Sequence, residues 1–512
     1  MRQLSRHGTA AGIGLVLILW EAAGLDGWVA QGVLPAPSTV LLRMFADRAE
    51  YWPHIWATAQ AAALGFLYGN IAALTVAMLI LRWPRLEGWT SGVNIAIFSV
   101  PPIAVVPVLL ILLDANTERV VLAALTVYYP SLVAAVLGLR GADARMVDVV
   151  HAYGGGAASV MRWVRLRAGL PTILAGMRIA APNAVLGAIL GEFGSGLRWG
   201  LGSFLLGSMG RADPVRLWGI GLAATALAGT AYFATWVVAR LATSGAVPAT
   251  LAPGAAPIGH ESLSVRYVLK LLLIVLIPFA VWWGLLAGAG LSPIIAKTPA
   301  GIFDYLFLAN GAADSRAALA AALAVTLPHA FLGLGLGILF AFALAVTGVL
   351  APWLVRSFMP VALVSQTMPL VALTPLIVLL LGRGLAATIA ITISVTFFPA
   401  FVTIAQGLAE VPAVAFDVVR SYGAGPIKRL FLVAIPAALP HSLAAARLAA
   451  PRAMLGVMIA EWMATGDGLG GLLDQARGML DYGMIWSVAF VAVAVAAAFY
   501  SGVAIIERLL SG

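Results

Sequence analysis

Runs of about 20 apolar residues are long enough to cross a lipid bilayer as helices, and in this chain of 512 residues they recur from end to end. Only 10% of the residues are charged against 62% hydrophobic, and the mean hydropathy is +1.01. A soluble domain carries about 25% charged residues, so this chain cannot cover its own surface in water. The expected class is an all-α polytopic membrane protein. In the first half, spans are expected at roughly 10–30, 55–81, 92–113, 119–139, 172–191 and 215–240. In the second they fall at roughly 266–289, 318–349, 355–381, 384–406, 440–461 and 484–507. That makes about 12 transmembrane helices.

The two sets of six are copies. "DVVHAYGGG" from Asp148 returns as "DVVRSYGAG" from Asp417, a little over half a chain later. Thr58, Gly65 and Gly69 match Thr326, Gly333 and Gly337 in spacing, and "SVPPIAVVPVLL" from Ser99 parallels "SQTMPLVALTPLIVLL" from Ser365. Leu170-Pro171, Arg178, Pro182, Gly187 and Glu192 recur as Leu439-Pro440, Arg447, Pro451, Gly456 and Glu461. The domain expectation is a first half at 1–243 (core about 55–240) and a second at 264–512 (core about 318–506). Between them the stretch 244–263, rich in Pro, Gly and Ala, reads as a linker.

An even number of spans per half gives both halves one orientation, related by an axis along the membrane normal. The side with Arg2 and the loops between fourth and fifth spans holds the majority of the 30 Lys and Arg. The positive-inside rule makes that side cytoplasmic, with both termini, the linker and both copies of the motif. Arg2, Arg6 and His7 before the apolar run 12–20 mimic a signal peptide. A comparable run opens the second half, so the first reads as a retained helix.

As a helix, the motif puts Met146, Val149, Val150 and Tyr153 on one apolar face, and Ala415, Val418, Val419 and Tyr422 on the other copy's. Asp143 suits an N-cap and Pro412 a first helical position. Gly154 and Gly423 stand where a left-handed residue ends a helix. A second short helix is expected next, leading into the fifth span. Such a helix can lie on lipid headgroups, although two matched knobs on one chain suit a two-fold partner better. The residues alone go no further.

The pattern Asp-(x)4-Tyr-Gly-Ala/Gly followed by Ile-Pro-(x)2-Leu-Pro resembles the EAA loop of ABC importer permeases, which docks on the ATPase. "SQTMPLVALTPLIVLL", "GEFGSGLRWGLG" and "AEWMATGDGLGGLL" are similar to the nitrate/sulfonate/taurine branch. The resemblance covers nearly all of both halves and implies a type I ABC importer-like fold, two permease halves fused head to tail. It implies ATPase coupling by Asp148, Val149, Val150, Tyr153 and Gly154, with Leu170 and Pro171 behind them. In the second half the same roles fall to Asp417, Val418, Val419, Tyr422 and Gly423, with Pro436, Leu439 and Pro440. Implied partners are an ABC ATPase dimer on the cytoplasmic side and a periplasmic or lipid-anchored solute-binding protein, with one fused chain per transporter in a bacterial inner membrane. No cofactor and no nucleic acid are implied.

The halves also depart from the family and from each other. Its Glu-Ala-Ala is Asp-Val-Val here, and Leu166-Arg167 replaces Ile435-Pro436. "DANTERV" follows the third span where the second half has "GRGLAAT".

Several chemistries lack their residues. There is no GxxxxGK[ST] phosphate loop, no HExxH and no cysteine, and the six histidines are scattered. Glu21, Glu192 and Glu461 lie near expected span ends, where solvation is the expectation. Arg178 and Arg447 sit roughly 10 Å into the fifth spans at ~1.5 Å per residue and are expected to snorkel back to headgroups. Pro101, Pro107, Pro369 and Pro375 either break the third spans to line a path or merely kink them. The competing function is a twelve-helix secondary transporter, whose usual basic signature between second and third helices is here only "RWPRLEGW". An intramembrane enzyme lacks a nucleophile, base or metal set.

Overall fold

Glycines decide how closely the spans approach. Gly65 and Gly69, one turn apart on the helix Arg48–Arg82, face Ala123 and Val127 of Ala115–Arg140 so tightly that a Cβ would overlap them. Gly333 and Gly337 on Ala312–Leu350 repeat the contact with Thr392 and Thr396 of Leu385–Ala409. Without a hydrophobic force between helices in lipid, such small-residue faces let backbones pack by dispersion. In each half the second, fourth and fifth spans form this tight set.

The computed structural model describes Gly14, residues 17–27, 33–211, 213–243 and 265–351, Val355 and residues 370–511. Every regular element among them is helical. Eight helices are long and apolar enough to span a membrane, or nine with one bent pair counted as a span. Of the three other expected spans, 266–289 forms the helix Val265–Ala289, while 10–30 and 355–381 fall partly on residues outside that description, as do Arg2, Arg6, His7, the first five residues of Ser99's counterpart segment and the whole linker.

One open alternative is decided and one expectation changes. The third span is not continuous: Arg85–Ser99 and Pro102–Leu112 meet at 102°. Pro101 stands at that corner, where a missing N–H and a fixed φ favour a break. The fifth spans also start earlier than expected. The helix runs Ala157–Glu192 in the first half and Pro426–Thr465 in the second. The expected second short helix is therefore the first turn of the fifth-span helix, joined to it by a five-residue π-helical segment, Met161–Arg165 or Leu430–Ala434.

The segments beyond the third-span prolines cross between halves. Pro102–Leu112 packs on Tyr482–Ser511 and Ile435–Ala460, and Leu370–Leu381 packs on Pro214–Ala242 and Leu201–Met209. One apolar core consequently unites both halves, from Ile103 and Leu190 to Leu376, Met454 and Trp486. Toward the Asp-Val-Val motifs each half keeps a separate core: Leu132, Leu139 and Ile173 in one, Phe401, Ile404 and Leu430 in the other.

Candidate functional site

Both copies of the motif fold as nine-residue helices, Ala144–Ala152 and Ala413–Ser421. Asp143 caps the first as expected, its carboxylate accepting from the Arg145 N–H at 2.9 Å. Pro412 is the N-cap residue of the second, one position before the expected one. The chain then turns at Gly154 and Gly423, whose φ values are +77° and +78°. Gly155 N–H closes the first turn on the Val150 carbonyl at 2.8 Å, and Ala424 N–H closes the second on Val419 at 3.2 Å.

Neither knob helix has a buried residue. Tyr153 is 90% exposed and Tyr422 87%, while Met146, Val149, Val414 and Val418 are exposed beside them. Asp148 and Asp417 are exposed; Val150 and Val419 are half-buried. Burying an aliphatic or aromatic side chain contributes about 1.5–3 kcal/mol, so each knob holds several kcal/mol in reserve for a partner. The knobs differ at their roots. Phe416 packs against its half's core, and its counterpart in the first half is the smaller Val147.

Behind each knob the π segment carries the chain into the fifth-span helix. Leu170 and Pro171, and Leu439 and Pro440, lie inside that helix rather than at its start, with Leu439 half exposed. Pro436 occupies the first turn after its π segment. Arg167 takes the same place in the other half and lays its guanidinium over Trp163 at 4.6 Å. Of the other prolines, Pro107 and Pro375 are buried inside the half-length helices that cross between halves. Pro369 lies outside the described residues.

At the opposite ends of the fifth-span helices, sequence reasoning missed a device built twice. Glu192 and Glu461 are 1% and 0% exposed, not solvated as expected. The Thr58 hydroxyl donates to Glu192 at 2.7 Å and accepts from Leu201 N–H at 2.8 Å. Gly202 N–H donates to the same carboxylate at 2.8 Å. In the second half Thr326, Leu469 and Gly470 repeat these bonds around Glu461 at 2.8, 2.8 and 3.0 Å. Each glutamate thus ties the far end of a fifth span to the second span and to the first N–H groups of a short helix, Leu201–Met209 or Gly468–Gly478. Backbone donors and a helix N-terminus suit a carboxylate. A Cβ at Gly200 or Gly468 would overlap that carboxylate. The duplication of Thr58 and Glu192 as Thr326 and Glu461 was the available signal. Arg447 pairs with Glu507 at 3.0 Å, both side chains mostly buried. Arg178 lies over the Tyr232 ring at 5.3 Å.

The model of the family described as "Binding-protein-dependent transport system inner membrane component" matches residues 65–244 and again 333–511. A probable ABC transporter permease protein of Haemophilus influenzae is similar, 28% identical over 176 residues that make up 34% of this chain and 72% of the relative. The riboflavin transport system permease protein RibX of Chloroflexus aurantiacus is 29% identical over 197 residues, 37% of this chain and 72% of its own. A putative aliphatic sulfonates transport permease protein, SsuC of Escherichia coli, is 26% identical over 185 residues, 35% of this chain and 69% of its own. Relatives of this kind are about half as long as the present chain, as two tandem copies require.

Proposed function

Because the chain belongs to the binding-protein-dependent transport system inner membrane components, we propose how it is divided, oriented and coupled. It is a permease subunit of an ABC importer rather than a gradient-driven secondary transporter. The halves 1–243 and 264–512, joined by the linker 244–263, together form one translocation path. The knob side faces the cytoplasm of a bacterial inner membrane, with both termini. There, Asp148 to Gly154 and Asp417 to Gly423 sit in the two clefts of an ABC ATPase dimer. Pro171, Pro436 and Pro440 lie in the helices that carry the thrust into the membrane. A solute-binding protein delivers the substrate to the opposite mouth, and Pro101, Pro107, Pro369 and Pro375 shape the path where the halves interlock. The transported class is a small organic anion such as a sulfonate, or a vitamin-like heterocycle, as the names of the relatives suggest.

One observation carries this reading. Two knobs of the same backbone shape, on one chain, present exposed tyrosine and valine that nothing among the described residues covers. An importer permease needs such a matched pair to ride a two-fold ATPase. The test is reconstitution of the full chain in lipid vesicles. Alone it should hydrolyse no ATP; with its ATPase, hydrolysis should rise when loaded binding protein is added. Uptake by the chain alone, driven by an ion gradient, would contradict the reading.

A further inference from the structure

The fifth-span helix of the second half runs unbroken from the foot of its knob at Pro426 to Thr465. At about 1.5 Å per residue that is roughly 60 Å of helix. Its far end is where Glu461 and Thr326 grip the short helix Gly468–Gly478. That short helix in turn touches the other half: Arg477 donates to the Gly194 carbonyl at 3.2 Å, and a Cβ on Gly194 would overlap the guanidinium. Knob, long helix, carboxylate clasp and inter-half contact form one continuous mechanical series.

The first half holds its clasp more firmly. The His54 ring bonds the Gly200 backbone at 2.8 Å and stacks on Phe204. Arg119 approaches Glu192 at 3.6 Å. The positions equivalent to His54 and Arg119 in the second half are Ala322 and Thr388, which have no charge and no ring to offer. Among the bonds described, Glu461 relies on Thr326 and Gly470. Both short helices touch the other half; among the bonds described, the clasp with fewer restraints is the one whose short helix does so through a side-chain hydrogen bond, Arg477 to Gly194.

We propose that Glu461 and Thr326 are positioning residues of the transport cycle: they deliver displacement of the second knob to the Arg477–Gly194 contact at the far mouth, while Glu192 and Thr58 hold the stationary side. The proposal rests on the permease reading and deepens it. A rigid helix transmits motion only to what is fixed at its end. Two buried hydrogen bonds to one carboxyl group, from Thr326 and from Gly470 N–H, make that fixture.

The experiment uses the full chain with its ATPase and binding protein in lipid vesicles. The sequence contains no cysteine, so Leu206→Cys and Gln475→Cys, both at exposed sites on the two short helices, accept a pair of spin labels across the mouth. With Thr326 intact, the label distance should change on adding ATP. Thr326→Val leaves the Leu469 N–H and one carboxylate oxygen unpaired. It should abolish the distance change and lower binding-protein stimulation of hydrolysis about tenfold, the scale of one unmade buried bond. Basal hydrolysis by the assembled complex should persist. Thr326→Ser restores the hydroxyl and should restore both signals, and Thr58→Val should lower stimulation by less than about threefold because His54 and Arg119 remain. Glu461→Gln, which keeps the shape, should act in the same direction as Thr326→Val and serves if that variant does not assemble. A wild-type distance change in Thr326→Val or Glu461→Gln, or an equal loss in Thr58→Val, overturns the proposal. Failure of the unsubstituted chain to support ATPase-dependent uptake would instead remove the permease reading beneath it.

Discussion

The two halves share a skeleton and differ in what stiffens it. Both have a nine-residue knob helix, a left-handed glycine, a π segment and a fifth-span helix that ends on a clasped glutamate. The first half adds His54 and Arg119 near its clasp; the second adds Phe416 under its knob and Pro436 behind it. The π segment forms in both halves although only one has the proline. Proline is therefore not what shapes the return. The difference lies at the two ends of the long helix, an anchored knob in one half and a braced clasp in the other.

The largest effect expected from this comparison is on stability. Arg447→Leu breaks a nearly buried ion pair with Glu507, a class of change that costs about 3 kcal/mol. Arg178→Leu removes a contact with the face of Tyr232, worth about 1 kcal/mol. Thermal unfolding of each purified variant in the same detergent should place Arg447→Leu clearly lower. Equal midpoints would show that the pairing adds nothing beyond the ring contacts both arginines make, Arg447 lying over Tyr500 at 5.8 Å.

The repeat, the span order and the knobs were legible because period, glycine and apolar length act locally. Three features were not. The fifth-span helix continues to Ala157 and Pro426 because backbone bonding does not stop where apolar periodicity does. Glu192 and Glu461 looked like solvated span ends, since nothing local reveals that the chain folds back and aims fresh N–H groups at them. Arg447 meets Glu507 only through packing of two spans distant in sequence. The bend at Pro101 lay between: the sequence left a kink or a break open, and cross-half packing of Pro102–Leu112 accompanies the break.

A smaller effect sharpens the same comparison. Arg167→Pro gives the first half the residue of the second at a position already following a π segment. Its backbone N–H lies in the first turn after that segment, where Pro436 is accommodated and where proline costs least. Uptake at matched membrane abundance should stay within about twofold of the parent chain, the size of a perturbation well under 1 kcal/mol. A severe loss would show that the first return uses a hydrogen bond the second lacks.

The central claim is that both knobs couple to the ATPase and that the second drives. Gly154→Val and Gly423→Val test it most directly. Both glycines have φ near +77°, and a side chain at either meets open space. The local cost is therefore the backbone strain alone, about 1–2 kcal/mol in each. Substrate uptake and copurifying ATPase should be measured for each variant at equal abundance. Loss of uptake in both, deeper for Gly423→Val, is the predicted result. Undiminished uptake in both variants, or a deeper loss at Gly154, would contradict it.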